Sequence, residues 1–439
     1  MIGDNKIQFI EKLFQLTSKD LLCNTSYPLN KSWFEKYKAD IDIMDGENEM
    51  SFYFHIPFCK HLCSFCEYTK FISSGFEEEE KYIELIIKQY NEFWREHGKI
   101  ELLGLDVGGG TPTALNLKSF EKFMLFLEQV RENHSCKNTI ESSMEFSFST
   151  YDRKKILLAA QCGFSRLSAG IQVYDRRMLR QNNREISSIK TIKNICEEIK
   201  QCGINKLNLD IMYGLPNESF DVIKNTIDAI ELIMPEHVTL YETRYNLNQL
   251  DYIGLNRELL WKQYMYIYDR LLSIGYKGRL GQNTFSKYDD EGVSSYLYTR
   301  MFYGKPYKGF GISAQSMSRK GLSYNNLKLC KEKCMPQIEK IYEEDIYMLP
   351  TREIVAKYVC IALYSGRFNI KVVSDILQQD GMSVFKDEFD FLFNHKYVEI
   401  VDDYCILTSK GFPLYGAVAS LFWSEEHKEK YIKTVTNNL

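Results

Sequence analysis

Tyr53-Phe-His-Ile-Pro-Phe-Cys59-Lys-His-Leu-Cys63-Ser-Phe-Cys66-Glu-Tyr68 is the stretch on which the reading of this chain turns. An apolar, aromatic run from Phe52 to Phe58 leads straight into three cysteines spaced C-x3-C-x2-C. The run has strand character, so the cysteines fall on the loop that follows a strand. Three thiolates so spaced can wrap one face of an iron–sulfur cubane, ligate three irons and leave the fourth open to a small bidentate ligand. A four-cysteine electron-transfer cluster has no such vacancy. The same residues also suit a tetrahedral zinc site completed by His55 or His61. The surrounding sequence separates the two readings.

Strand-like and helical segments alternate downstream. Extended stretches are expected at 102–107, 139–148, 166–172, 206–213 and 237–241, and helices at 76–95, 117–133, 152–160, 187–201 and 219–233. With the run at Phe52 this makes six strand candidates alternating with helices, which predicts an α/β fold built of βα units on a parallel sheet. The polar and glycine motifs come just after the strands, where βα loops build active sites. That setting favours the cluster over zinc.

Composition sets the outer limits. A chain of 439 residues predicts two or three domains. A net charge of −4 argues against a binding mode dominated by nucleic-acid electrostatics. There is no run of 18 apolar residues to span a membrane, and the opening MIGDNKIQFIEKLFQL lacks the long apolar segment of a secretory signal. The protein is therefore expected in the cytoplasm. There its 12 cysteines are not read as a disulfide framework, and most are scattered singly. Only one other pair has ligand spacing, Cys330 and Cys334, which reads as two ordinary helix cysteines or as part of an auxiliary cluster.

The HIPFC context of the first cysteine resembles the radical S-adenosylmethionine (SAM) signature of the oxygen-independent coproporphyrinogen III dehydrogenase-like (HemN-like) group. Gly108-Gly-Gly-Thr-Pro-Thr113, Gly163-Phe-Ser-Arg-Leu-Ser-Ala-Gly-Ile-Gln172, Asn183-Arg184 and Asp210-Ile-Met-Tyr-Gly-Leu-Pro216 follow in the order of that group. The resemblance covers roughly residues 50–320, with a weaker echo beyond. It implies a partial (β/α)6 TIM-type barrel with a smaller C-terminal winged-helix-like α+β domain. The expected division is a helical extension over 1–50, the barrel with a site-closing segment over 51–345, and the C-terminal domain over 346–439. It also implies a [4Fe-4S] cluster on Cys59, Cys63 and Cys66, and one or two molecules of SAM. Reduction of the cluster would cleave SAM to a 5′-deoxyadenosyl radical that abstracts hydrogen from a substrate carbon.

The resemblance carries particular residues to particular contacts. Gly109, Gly110 and Thr111 would meet the amino group of SAM, Glu145 its ribose, and Tyr53 and Phe65 would lie near it. Gln172, Arg184 and Asp210 would contact a second SAM, and Arg244 would bind a carboxylate at the barrel mouth. Each has a plainer reading too: a turn for the glycines, a solvated acid for Glu145, an Asp–Arg bridge for Asp210, a surface salt bridge for Arg244.

Two departures bear on the reaction. The group's namesakes carry a fourth cysteine where this chain has Tyr68, and the heme-chaperone branch carries a tryptophan that is missing from Arg319-Lys-Gly-Leu-Ser-Tyr-Asn-Asn326. The expectation is therefore a methyl- or methylene-transferase, of methyltransferase or cyclopropanase type, using a second SAM as donor to a small-molecule or heteroaromatic substrate. The alternative is an enzyme modifying tetrapyrroles, or a heme-binding chaperone. A flavodoxin or ferredoxin is the expected reductant.

Overall fold

Residues Glu49–Ile56 form β1, and the alternation along this strand sets the geometry of the barrel. Phe52 and Phe54 pack on one face, against Tyr90, Phe93, Phe123 and Phe126. Ser51 and Tyr53 face the other way, toward Thr299 and Tyr296. The first face is the helix-covered outside of the barrel, and the second is its interior. Burying each phenylalanine contributes about 1.5–3 kcal/mol, so a one-residue slip of register would be costly.

A computed structural model describes residues 2–19, 27–29, 31–185, 187–243, 257–325 and 343–437. After α1 (Ile2–Lys19) and β1 come α2 (Phe76–His97), β2 (Glu101–Gly109), α3 (Leu117–Asn133) and β3 (Ser142–Phe146). The alternation continues through α4 (Arg153–Gln161), β4 (Phe164–Gln172), α5 (Arg176–Gln181), α6 (Ile189–Gln201), β5 (Lys206–Tyr213), α7 (Phe220–Ile233) and β6 (His237–Glu242). β1 to β6 lie side by side in chain order, all parallel, as the six-unit reading of the sequence expects. Helix starts follow capping rules: Asn116 accepts from the Ser119 N–H and Asp152 from that of Lys154.

The sheet extends past both ends of this half-barrel. Following α8 (Arg257–Ser273), the short β7 (Thr284–Ser286) pairs antiparallel with β6. After α9 (Ser295–Tyr303), β8 (Tyr307–Phe310) runs parallel to β1 on its other side. β9 (Gln315–Met317), β10 (Gly321–Asn325) and β11 (Glu344–Met348) then add antiparallel strands, so among the described residues the sheet has eleven strands, with β11 and β7 at its ends. The glycine-rich 303–318 region thus joins the sheet. Phe310 stacks on Phe54 with ring centroids 4.9 Å apart.

α9 fills the bottom of the barrel. A Cβ on Gly104 of β2 would stand 2.4 Å from the backbone nitrogen of Tyr296, so only glycine lets the helix approach so closely. Ser294 caps α9 by accepting from Leu297 N–H, and its hydroxyl donates to the buried carboxyl of Asp106 at 2.5 Å.

The C-terminal part comprises α10 (Thr351–Ala362), β12 (Arg367–Asn369), α11 (Ile370–Leu377), α12 (Gly381–Val384), α13 (Lys386–Asn394), β13 (Val398–Val401), β14 (Tyr404–Leu407), α14 (Tyr415–Ser420) and α15 (Glu425–Asn437). Its small antiparallel sheet has the order β12-β14-β13, with the hairpin turn at Asp402 and Asp403, in keeping with the winged-helix-like expectation. α1 packs on α13, α14 and α15, where Phe14 stacks on Tyr397 and the Thr17 hydroxyl meets that of Ser420. Among the described residues no helix is long and apolar enough to cross a membrane.

Candidate functional site

Inward-facing side chains of β1 to β6 form two polar layers. The lower one, next to α9, is tightly bonded. Asp106 accepts from Ser143 N–H and Ser294 Oγ, while Arg166 donates to Ser143 Oγ, to the carbonyl of Gly292 and to Nδ1 of His237. Burial pushes the Asp106 carboxyl up to about 7, because desolvation outweighs these bonds and the nearby Arg166.

Above this floor opens a cavity of about 240 Å³. The next two have about 20 and 30 Å³, room for little more than a water, so this is where a ligand of any size fits. One wall is the loop after β1, where Cys59, Cys63, Phe65, Cys66 and Tyr68 all line the space. The loop is tied at its ends: Cys59 N–H donates to the Phe71 carbonyl and Phe71 N–H to that of Pro57, both at 2.8 Å. Thr69 bonds Ser313 just past β8, and Lys70 donates to the Cys66 carbonyl.

All the described cysteines are free thiols, and these three are partly exposed to the cavity. Burial pushes the Cys59 thiol up to about 11 and raises that of Cys66, with the neighbouring thiols adding repulsion. No three His, Cys, Asp or Glu side chains among the described residues converge on a single ion. The donor set is thus three soft sulfurs spread along a cavity wall, which matches a multi-iron face better than tetrahedral zinc.

The glycine loop after β2 forms the adjacent wall. Gly110 N–H donates to the carbonyl of Ile56 and Thr111 N–H to that of Phe58, both at 2.7 Å, which fastens the loop to the cysteine strand. A Cβ on Gly110 would meet this backbone at 2.7 Å, and one on Gly109 (φ 103°) would strike the His55 ring at 2.3 Å. These two N–H groups, which glycine loops often offer to ligands, are therefore engaged within the protein. What the loop has left to offer a ligand is oxygen acceptors, the groups an ammonium needs. Lys155 supports it from behind, donating to the carbonyls of Thr113 and Leu115.

Glu145 and Asp210 stand in the upper layer. Glu145 accepts from Gly109 N–H at 3.2 Å, and its carboxyl is pushed up to about 8, first by desolvation and then by the charge of Asp210. Asp210 is raised by burial as well. Among the described residues it is held by the Ser168 hydroxyl and the Asn208 amide, not by an arginine. Gln172 sits at a β-bulge with φ 62°, a strained conformation for a residue other than glycine. Arg184, in the turn after α5, donates to Sγ of Cys63 at 3.3 Å and to the Gly170 carbonyl.

Eleven of the residues singled out in the sequence therefore share one cavity: the three cysteines, Phe65, Gly109, Gly110, Thr111, Glu145, Gln172, Arg184 and Asp210. Tyr53 does not line it. Its ring stacks on Tyr296 of the floor helix, with centroids 5.7 Å apart, because its place on β1 puts it in the layer below. Arg244, Cys330 and Cys334 lie outside the described residues. The cavity also takes in Ser168 and Met212, which lie inside the quoted motifs but were not singled out, and Tyr241. Period-two alternation from Gly170 and Asp210 would have found the first two.

Comparison with known proteins agrees with this geometry. The model of the radical SAM superfamily matches residues 53–230. The heme chaperone HemW of Lactococcus lactis subsp. lactis is 25% identical over 395 residues, 85% of this chain and 97% of the relative. The oxygen-independent coproporphyrinogen III oxidase of Pseudomonas aeruginosa is 25% identical over 289 residues, 62% and 61% of the two chains. The solved structure of coproporphyrinogen III oxidase (HemN) from Escherichia coli covers 86% of this chain and 90% of its own, with a TM-score of 0.68 at 20% identity, a likeness of fold. The chain carries a radical SAM superfamily domain over residues 53–230 and is similar over most of its length to HemN/HemW-like proteins. That family implies a [4Fe-4S] cluster and SAM. The residues present fit both: free thiols on one wall, a glycine loop packed too closely on β1 for any side chain beside them, and carboxyls with acceptor capacity on the same cavity.

Proposed function

We propose that the protein cleaves SAM reductively at a cluster held by Cys59, Cys63 and Cys66, beside a bound tetrapyrrole such as heme or a heme precursor. The observation that carries this is the convergence of the three thiols, the glycine loop and two buried carboxyls on one cavity at the C-terminal ends of the parallel strands. When bound, cluster and SAM supply a 5′-deoxyadenosyl radical able to take hydrogen from carbon.

The chain's own groups do the holding. The cysteines present three sulfurs, and the acceptors around Gly109, Gly110 and Thr111 suit the SAM ammonium. Glu145, still protonated at neutral pH in the free protein, can both donate to and accept from a ribose diol. The floor and its helix close the cavity from below, which keeps water from a reactive intermediate.

The tetrapyrrole rests on the relatives' names, which are those of heme chaperones and coproporphyrinogen III oxidases. Lys60 and Lys70 at the cavity wall are suitable partners for tetrapyrrole carboxylates. Methyl or methylene transfer from a second SAM has less behind it: none of these relatives is named for such a reaction, and Arg184 is engaged with Cys63 and Gly170. A flavodoxin or ferredoxin is the proposed class of reductant.

The test uses protein loaded anaerobically with iron and sulfide, then given SAM and dithionite with and without heme. The expected result is 5′-deoxyadenosine together with stoichiometric heme binding. A full cluster that forms no 5′-deoxyadenosine overturns cleavage. S-adenosylhomocysteine with a methylated product, and no heme binding, transfers the reading to the two-SAM alternative.

A further inference from the structure

The turn after α5 grips the cysteine loop at two neighbouring residues. Arg184 Nη1 donates to Sγ of Cys63 at 3.3 Å, while Nη2 donates to the Gly170 carbonyl at the bulge of β4. Ser64, next in the loop, donates its hydroxyl to Oδ1 of Asn182 at 2.7 Å and its N–H to the Asn182 carbonyl at 3.3 Å. Asn182 is itself anchored to α5 through Nδ2 and the Met178 carbonyl, and Asp175 caps that helix at Met178 N–H. The other two thiols are treated differently. Among the described residues Cys59 meets the Thr111 hydroxyl at 3.7 Å and Cys66 takes the neutral backbone N–H of Tyr68, with Lys70 bonded to the Cys66 carbonyl, so Cys63 is the thiol that a guanidinium donates to.

We propose that Arg184 is a positioning residue of the cluster, one that holds Cys63 in place and sets the reduction potential through an N–H···S bond. The inference rests on the cluster reading proposed above. Guanidinium stays charged at any working pH, and its fork lets one arm be fixed by Gly170 while the other points at sulfur. A donor to a ligating sulfur stabilises the added electron of a reduced cluster more than the oxidised form, so it raises the potential. The anchor on Gly170 is backbone, so the donor keeps its aim whether or not SAM is bound. Cys63 thereby becomes electronically distinct from Cys59 and Cys66. This places Arg184 on the cluster side of the cavity, where the family pattern puts a second SAM.

The test is an EPR-monitored redox titration of the reconstituted holoprotein without SAM. Arg184→Met should shift the midpoint to more negative potential at wild-type iron and sulfide content, and Arg184→Lys should fall between. An unmoved midpoint in a fully loaded Arg184→Met protein overturns the inference. An unmoved midpoint with fewer SAM bound per chain also overturns it and assigns Arg184 to SAM. If Arg184→Met takes up no iron, Arg184→Gln, which keeps an N–H donor without the charge, is titrated under the same two criteria. Wild-type protein that holds no cluster at all overturns the cysteine reading itself, a result distinct from a loaded cluster whose potential does not move.

Discussion

The two polar layers inside the barrel come from the same six strands and differ by one step of the β period. In the floor, Asp106, Ser143, Arg166 and His237 bond to one another, to Ser294 ahead of the floor helix and to the Gly292 carbonyl. One step higher, among the described residues, Glu145 accepts one bond, from Gly109 N–H, Asp210 is held by Ser168 and Asn208, and both carboxyls line the cavity. Buried polar groups are costly unless bonded; the floor is tied mainly to itself, with His237 Nε2 facing Asp290 at 3.6 Å, while the carboxyls above also open onto a cavity that a ligand can enter. Inward polarity alone does not mark a site in this fold. The difference lies in whether the partners come from the chain.

The largest effect expected from breaking this contrast is at the cavity wall. Cys63→Ala should eliminate bound iron and sulfide and abolish SAM cleavage while leaving the circular dichroism spectrum and thermal transition unchanged, since the thiol is only partly buried. Iron at the wild-type level would remove the cluster from this loop. Next comes the floor. Arg166→Ala leaves Ser143, His237 and Gly292 without a buried partner and should cost about 3–5 kcal/mol in urea unfolding. Asp210→Ala, one layer up, should change stability by less than about 1 kcal/mol, because it also relieves the repulsion on Glu145. Equal costs for the two would erase the distinction between layers.

The smallest effect is a slope. In the cofactor-free protein Glu145 keeps its proton to about pH 8, against 4.5 when unfolded. Between those values the folded chain binds the extra proton, so stability declines as the pH rises. Asp106 adds the same sign up to about pH 7. Glu145→Gln should flatten the decline in urea midpoint between pH 6 and 8 without removing it. An unchanged slope would mean that Glu145 is already ionised and solvated.

The strand and helix order of the barrel was legible from periodicity, because each βα unit carries its own alternation and turn residues. The cysteines, the glycine loop, Glu145, Gln172 and Asp210 were legible as one site because they lie on or just after successive strands and fall in motifs that follow one another in the order of a known group. The floor helix was not. Ser295–Tyr303 is a short aromatic stretch, and nothing local says that it inserts beneath Gly104, nearly two hundred residues earlier in the chain. The level of Tyr53 was not legible for the same reason: adjacency to the HIPFC motif is local, but the layer it occupies depends on the register of β1 against β2. The partner of Arg184 also lies far away in the chain, so its bond to Cys63 required the fold.

The packing of α1 on α13, α14 and α15 constrains how the chain is made. The helix Ile2–Lys19 is synthesised well before residues 386–437, the segment that supplies α13 and α15, and can meet those partners only once they have been made. Through that interval Ile10, Leu13 and Phe14, all buried in the finished protein, have nothing to cover them. The barrel can form its parallel strands in order of synthesis, but this seam closes only after residues 386–437 are available, against the loop-closure entropy of the long stretch between. The exposed helix is thus where a nascent-chain chaperone would find a foothold.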